Sequence, residues 1–144
     1  MTDAKLKGGC LCGQVRFELT ESPAGVVDCH CGMCRRWHGG VGSYVSVPWS
    51  ALRWTQGEEA LVWYRSSPEA SRAFCRHCGS SLAWRHDVRK RDADVTAGAL
   101  DQPTGLKTLK HIYVADKADY TALTDGLPQF AASSAPHLAP TPKP

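Results

Sequence analysis

The chain has 144 residues, the length of one ordinary domain, with 42% hydrophobic and 22% charged residues, proportions usual for a soluble globular protein. No run approaches the ~20 consecutive apolar residues of a membrane span, and the N-terminus "MTDAKLKGGC" lacks the apolar stretch of an export signal, so no membrane partner and a cytoplasmic location are expected. The formal charge of +3 counts seven cysteines as neutral thiols: as metal-bound thiolates all seven would remove seven charges while two dications return four, leaving a neutral protein, and a single four-cysteine site would leave +1, so no nucleic-acid partner is expected.

In chain order, "QVRFELT" alternates Val15, Phe17 and Leu19 against Gln14, Arg16 and Glu18, the period-2 mark of a half-buried strand. "GVVDC", "GSYVSV", "LRW", "LVWYRS", "SLAWRH", "DVTAGAL" and "KHIYV" are further short β-type runs, punctuated by Gly, Pro, Asp and Ser. Short helices are expected at only two places, Pro48 to Leu52 and Lys117 to Leu123. The pattern predicts a mainly β domain of small antiparallel sheets over residues 1–130. The basic run "RHDVRKRD", Arg85 to Asp92, reads as a solvated hairpin turn. From Ala131 the chain becomes "AASSAPHLAPTPKP", four prolines in fourteen residues, so 131–144 is expected to be a flexible Pro/Ala-rich tail. Trp49, Trp54, Trp63 and Trp84 are read mostly as core residues.

The seven cysteines fall into "CLC" (Cys10, Cys12), "CHCGMC" (Cys29, Cys31, Cys34) and "CRHC" (Cys75, Cys78). Without an export signal, such spacing points to metal rather than disulfides. Tetrahedral zinc with Zn–S near ~2.3 Å needs sulfurs about 3.8 Å apart, a separation that cysteines two or three residues apart reach on a tight turn. "CLCG" and "CRHCG" are both such turns, each half of a site, and together they make a closed four-cysteine set. The alternative pairs Cys10 and Cys12 with two of the central three, leaving Cys75 and Cys78 to recruit His77 or His86. On the first pairing, Cys29, Cys31 and Cys34 form a three-thiolate group. Either a histidine closes it, which makes it structural, or its fourth position stays open, the usual arrangement of catalytic zinc. His30, between two of the ligands, is expected to point away from their metal, and His38 and His111 read as hydrogen-bonding histidines. Zinc on three thiolates carries a net −1, which Arg35 and Arg36 are placed to offset; they, with Arg72, read either as structural ion-pair partners or as groups for an anionic substrate. Trp37, inside the motif, is a candidate pocket wall.

"GGCLCGQVRFEL", "CHCGMCRRWHGG", "FCRHCGSSLAW" and "KHIYVADKADYTALTDGLPQF", in that order, resemble the glutathione-dependent formaldehyde-activating enzyme family, which also includes centromere protein V. The resemblance covers about Lys7 to Phe130. It implies a compact zinc-bound fold similar to the β-tent domains of methionine sulfoxide reductase B-type proteins. Cys10, Cys12, Cys75 and Cys78 would hold a structural zinc, and Cys29, Cys31 and Cys34 a second, more labile and catalytic one. The implied activity is that of a carbon–sulfur lyase, S-hydroxymethylglutathione formation from formaldehyde and glutathione, with a small thiol as partner. Two other readings of the same cysteines are a binding module whose zinc ions only shape a surface, and a sensor in which the three central thiols oxidise when metal leaves.

Overall fold

The computed structural model describes residues 5–88 and 92–134. Among them the architecture is mainly β, as the alternation predicts, with ten strands and one α-helix. The chain divides into two compact units, residues 1–24 with 45–106, and residues 25–44 with 107–144.

The first unit contains a three-stranded antiparallel sheet in the order β1 (Leu6–Gly9), β2 (Arg16–Leu19), β5 (Leu52–Gln56). The reading of "QVRFELT" holds in detail. Val15, Phe17 and Leu19 are almost completely buried, while Glu18 faces outward and accepts a bond from Arg53 at 3.1 Å. Burying a side chain of the size of Phe17 or Leu19 contributes about 1.5–3 kcal/mol. Phe17 also meets Trp54 edge to face, ring centres 5.8 Å apart.

The same unit carries an antiparallel ladder of β6 (Leu61–Ser67), β7 (Ala70–Cys75), β8 (Ser81–His86) and β9 (Asp92–Thr96). The Val45–Pro48 part of β4 (Gly42–Pro48) lies beside β9, and Ser46 Oγ donates to Asp94. Ala73, Leu82, Ala83, Ala93 and Val95 are buried. The tryptophans are not part of this buried set: all five are half-buried. The closely packed faces are built from alanine, valine and leucine, and an indole is too large to be enclosed completely in so small a domain. Trp63 lies under the Arg85 guanidinium at 4.2 Å and meets Trp49 edge to face. Residues 89–91 of the basic run lie outside the described residues.

The second unit is built on β3 (Val26–Cys29), which pairs antiparallel with Gly42–Tyr44 of β4 and parallel with β10 (Thr108–Ile112). The parallel pair departs from the antiparallel expectation. The long chain between β3 and β10 lets the last strand enter in the same direction as the first, which a short hairpin cannot do.

The helices also differ from expectation. The Pro48–Leu52 expectation is met by a single 3₁₀ turn at Trp49–Ala51, but Lys117 to Leu123 is irregular. The α-helix is instead α1 (Gly32–His38), inside the cysteine motif. Its N-cap is Cys31, whose sulfur accepts from the Cys34 N–H at 3.2 Å, and it ends at Gly39 in the left-handed region. Cysteine is not among the usual capping residues, which hid the helix from the sequence. After β10, the carbonyls of Phe130, Ala131 and Ala132 accept bonds from Val114, Ala115 and Tyr113. Residues 135–144 of the expected tail lie outside the described residues.

Candidate metal and thiol site

None of the seven cysteines is in a disulfide. They gather into two groups, Cys10 with Cys12, Cys75 and Cys78, and Cys29 with Cys31 and Cys34; within each, the sulfurs lie within 4.8 Å of one another. The pairing of "CLC" with "CRHC" is thus the one the fold makes, and neither His77 nor His86 joins it.

The four-cysteine group lies wholly in the first unit. Cys10 and Cys12 flank a turn between β1 and β2, closed by Gly13 N–H donating to the Cys10 carbonyl. Cys75 ends β7, and Gly79 N–H closes the matching turn onto its carbonyl at 2.8 Å. Gly13 and Gly79 have φ of 81° and 78°, a region costly to residues with a Cβ, so both turns depend on glycine. Backbone amides then point at sulfur: Val15 N–H to Cys10 at 3.3 Å and His77 N–H to Cys75 at 3.4 Å. The Cys10–Cys12 and Cys12–Cys75 sulfur separations, 3.5 and 3.8 Å, match the edge of a zinc tetrahedron of about 3.8 Å.

Proton affinities within this group are split. Burial raises the Cys78 thiol, but the Ser80 hydroxyl, its backbone and Cys12 outweigh it and bring it down to about 5. Burial likewise raises Cys10, and hydrogen bonds from Val15, Cys12 and Cys75 overcome this to hold it below the usual thiol range. At Cys12 the backbone of Gln14 favours the thiolate, yet burial and the neighbouring thiols push it up to about 12. Four crowded sulfurs therefore share protons unevenly, and a dication satisfies all four.

The three-cysteine group lies wholly in the second unit. Cys29 ends β3, Cys31 caps α1 and Cys34 sits in its first turn, so strand end and helix start bring three sulfurs to one point. All three are buried, in a cluster with Tyr113, against which Met33, Tyr44 and Ile112 pack. The Cys29 thiol is pushed far up by its hydrogen bonds to Cys31 and Cys34 and then by burial. Such a group keeps its protons unless a cation replaces them, so it too fits a metal ion.

No fourth cysteine, histidine or carboxylate atom joins these three among the described residues. The histidines that could close the site are engaged elsewhere. His30 Nε2 meets His111 Nδ1 at 2.9 Å, His111 Nε2 meets Asp125 Oδ2 at 2.7 Å, and His38 Nε2 meets the Tyr44 hydroxyl at 2.6 Å. His30 is buried, and that burial, with the nearby His111 and Lys117, lowers its pKa below the ordinary histidine value.

Arg35 follows Cys34 on α1; it is half-buried, and its Nε is enclosed without a hydrogen-bond partner among the described residues. Arg36 is exposed and Trp37 half-buried, and Trp37 is not among the half-buried hydrophobic side chains packed on the cysteine cluster. Arg72 is buried in β7 and donates to Ser66 at 3.2 Å, an internal role. Three further residues beside the site, Tyr44, Tyr113 and Asp125, are not singled out by the sequence. The available signals were weak: an Asp-Gly turn at Asp125, and a tyrosine next to "KHI".

A mainly β protein with one complete and one three-membered cysteine group is a candidate double metal-thiolate protein. The profile of the family described as "Glutathione-dependent formaldehyde-activating enzyme" matches residues 5–116, and the chain belongs to that family. It is 26% identical over 118 residues to an uncharacterized lyase of Schizosaccharomyces pombe, spanning 78% of this chain and 81% of that one. A putative glutathione-dependent formaldehyde-activating enzyme of Halomonas elongata is 32% identical over 91 residues, 58% of this chain and 57% of the relative. A crystal structure of a Rhodobacter sphaeroides protein superposes with a TM-score of 0.56 at 30% identity, covering 67% of this chain and 88% of that one. No helix among the described residues is long and apolar enough to cross a membrane.

Proposed function

We propose that this protein is a zinc-dependent carbon–sulfur lyase-type enzyme that makes or breaks the adduct between a small thiol of the glutathione kind and an aldehyde of the formaldehyde kind. The observation that carries the reading is the three-cysteine group, whose candidate histidine partners are all turned to other residues. Cys10, Cys12, Cys75 and Cys78 hold a structural ion, and Cys29, Cys31 and Cys34 hold the working one. Zinc, when bound there, supplies an acidic centre at which an incoming thiol ionises near neutral pH.

The chain's own residues then set the geometry. Three thiolates around a dication leave a net −1, which Arg35 and Arg36 offset; the same two arginines are the groups offered to a thiol's carboxylates, with Trp37 beside them. Burial of Cys31 and Cys34 keeps bulk water from the sulfurs. In the forward direction the substrate sulfur bonds to the carbonyl carbon, the C=O π pair moves to oxygen, and the proton released by the thiol ends on that oxygen. The reverse direction returns it to sulfur.

The test is zinc counting by native mass spectrometry on the full chain, before and after a mild chelator and again with glutathione. The expected outcome is two zinc ions, one retained throughout and one exchanged. Two ions that resist both treatments would mean a protein ligand fills the fourth position, and the enzyme would give way to a binding module.

A further inference from the structure

Beyond the region the family profile matches, residues 125–132 return to His111 and Tyr113, beside the three-cysteine group, and bond them at two points. At the first, the Asp125 carboxylate accepts from His111 Nε2 at 2.7 Å, which fixes the His111 tautomer and leaves Nδ1 to accept from His30 Nε2 at 2.9 Å. His30 lies between Cys29 and Cys31 in the chain, and its N–H donates to the Ile112 carbonyl at 3.0 Å. Both rings are buried, His30 5% and His111 3% exposed, and Asp28, itself bonded by Ser43, lies 3.9 Å from His111 Nδ1. At the second point, Ala132 accepts from the N–H of Tyr113, which is buried against the cysteines and held at φ 56°, a region few side-chain-bearing residues adopt. Between the two, His111 exchanges bonds with Pro128 and Phe130, so this segment is stitched to β10 by its backbone.

We infer that Asp125 is a positioning residue for the three-cysteine site. Through His111 and His30 it fixes the backbone between Cys29 and Cys31, and so sets how tightly that site holds its metal ion. A metal ligand whose orientation is fixed by an outer hydrogen bond commonly loses about 10–100-fold in affinity when that bond is cut. Here the bond acts one residue from two ligands rather than on a ligand itself. The expected effect is about 10-fold, the lower end of that range. Asp125 lies at the surface end of the chain of bonds, its side chain 44% exposed, so replacing it removes the anchor without opening a cavity.

This inference rests on metal occupancy of Cys29, Cys31 and Cys34, and the experiment separates the two claims. Zinc affinity is measured by chelator competition on the full-length wild type, Cys31→Ser, Asp125→Ala and Asp125→Asn. Cys31→Ser identifies the ion held by the three cysteines; if it binds zinc as the wild type does, the site reading itself fails and the inference falls with it. If it loses one ion, Asp125→Ala is expected to weaken that ion alone by about 10-fold, with the four-cysteine ion unchanged. Asp125→Asn, whose amide oxygen can still accept from His111, is expected to restore most of the affinity. An Asp125→Ala affinity equal to wild type overturns the inference, and so does equal loss in both variants.

Discussion

Gly42→Ala is a single-methyl test of how α1 is seated. Gly42 is buried opposite Cys29 in the β3–β4 pair, and a Cβ there would lie 2.9 Å from His38 Cδ2, 3.0 Å from Tyr44 Cε2 and 3.1 Å from Cys34 Cβ. Ordinary contact begins at 3.4 Å, so the three neighbours must yield by 0.5, 0.4 and 0.3 Å. None can swing away freely. His38 and Tyr44 are bonded to each other at 2.6 Å, and Cys34 Cβ belongs to the first turn of the helix. The helix must therefore shift as a body, carrying Cys34 and its capping residue Cys31 away from Cys29. Overpacking of this kind costs about 1–3 kcal/mol. The expected result is a lower urea midpoint in zinc-replete buffer, by tryptophan fluorescence, together with faster loss of the exchangeable zinc to chelator. An unchanged midpoint and unchanged zinc retention would refute the seating described.

Two further outcomes are expected. Cys75→Ser removes a fully buried sulfur from the four-cysteine group and is expected to abolish cooperative unfolding or the soluble fold, since a structural zinc contributes on the order of 10 kcal/mol in small domains; Cys31→Ser is expected to keep the fold, and circular dichroism melts of the pair check the contrast. Arg16 bonds Asp101 at 2.5 Å, and that bond holds the Asp101 carboxyl below the usual carboxylate range. Its folded pKa is depressed, so the pair's small contribution, about 0.2–1 kcal/mol for exposed partners, is present above the ordinary carboxylate pKa and is lost as pH falls through the lowered one; Arg16→Ala should return the Asp101 titration, followed by carbon NMR, to the ordinary range.

Much of this site was legible because its grammar is local. "CLCG" and "CRHCG" each specify a turn through a glycine that must adopt a left-handed backbone, and two half-sites call for each other across the chain. The alternation through Val15, Phe17 and Leu19 is similarly self-contained. What escaped depends on unusual local bonds or on distant contacts. "CGMCRRWH" offers no ordinary N-cap, and α1 forms because the Cys31 sulfur takes that role. Lys117 to Leu123 has helix-compatible residues, yet Lys117 Nζ bonds the Thr121 carbonyl and the segment stays irregular. The parallel entry of β10, and Asp125 finding His111, join residues whose proximity no periodicity encodes.

The division of the cysteines between two units also fixes an order of completion during synthesis. All four members of one group are in the chain once Cys78 has been added. Cys29, Cys31 and Cys34 emerge early and together, but Tyr113 follows Cys34 by 79 positions, and Asp125 comes later still. At ~5–20 residues per second that is roughly 4–16 s in which three neighbouring thiols stand in the cell without the residues that later enclose them. The nascent chain thus presents these three sulfurs to oxidants and aldehydes before it can bury them, and how well they are guarded over those seconds bears on how much of each newly made batch keeps all three as free thiols.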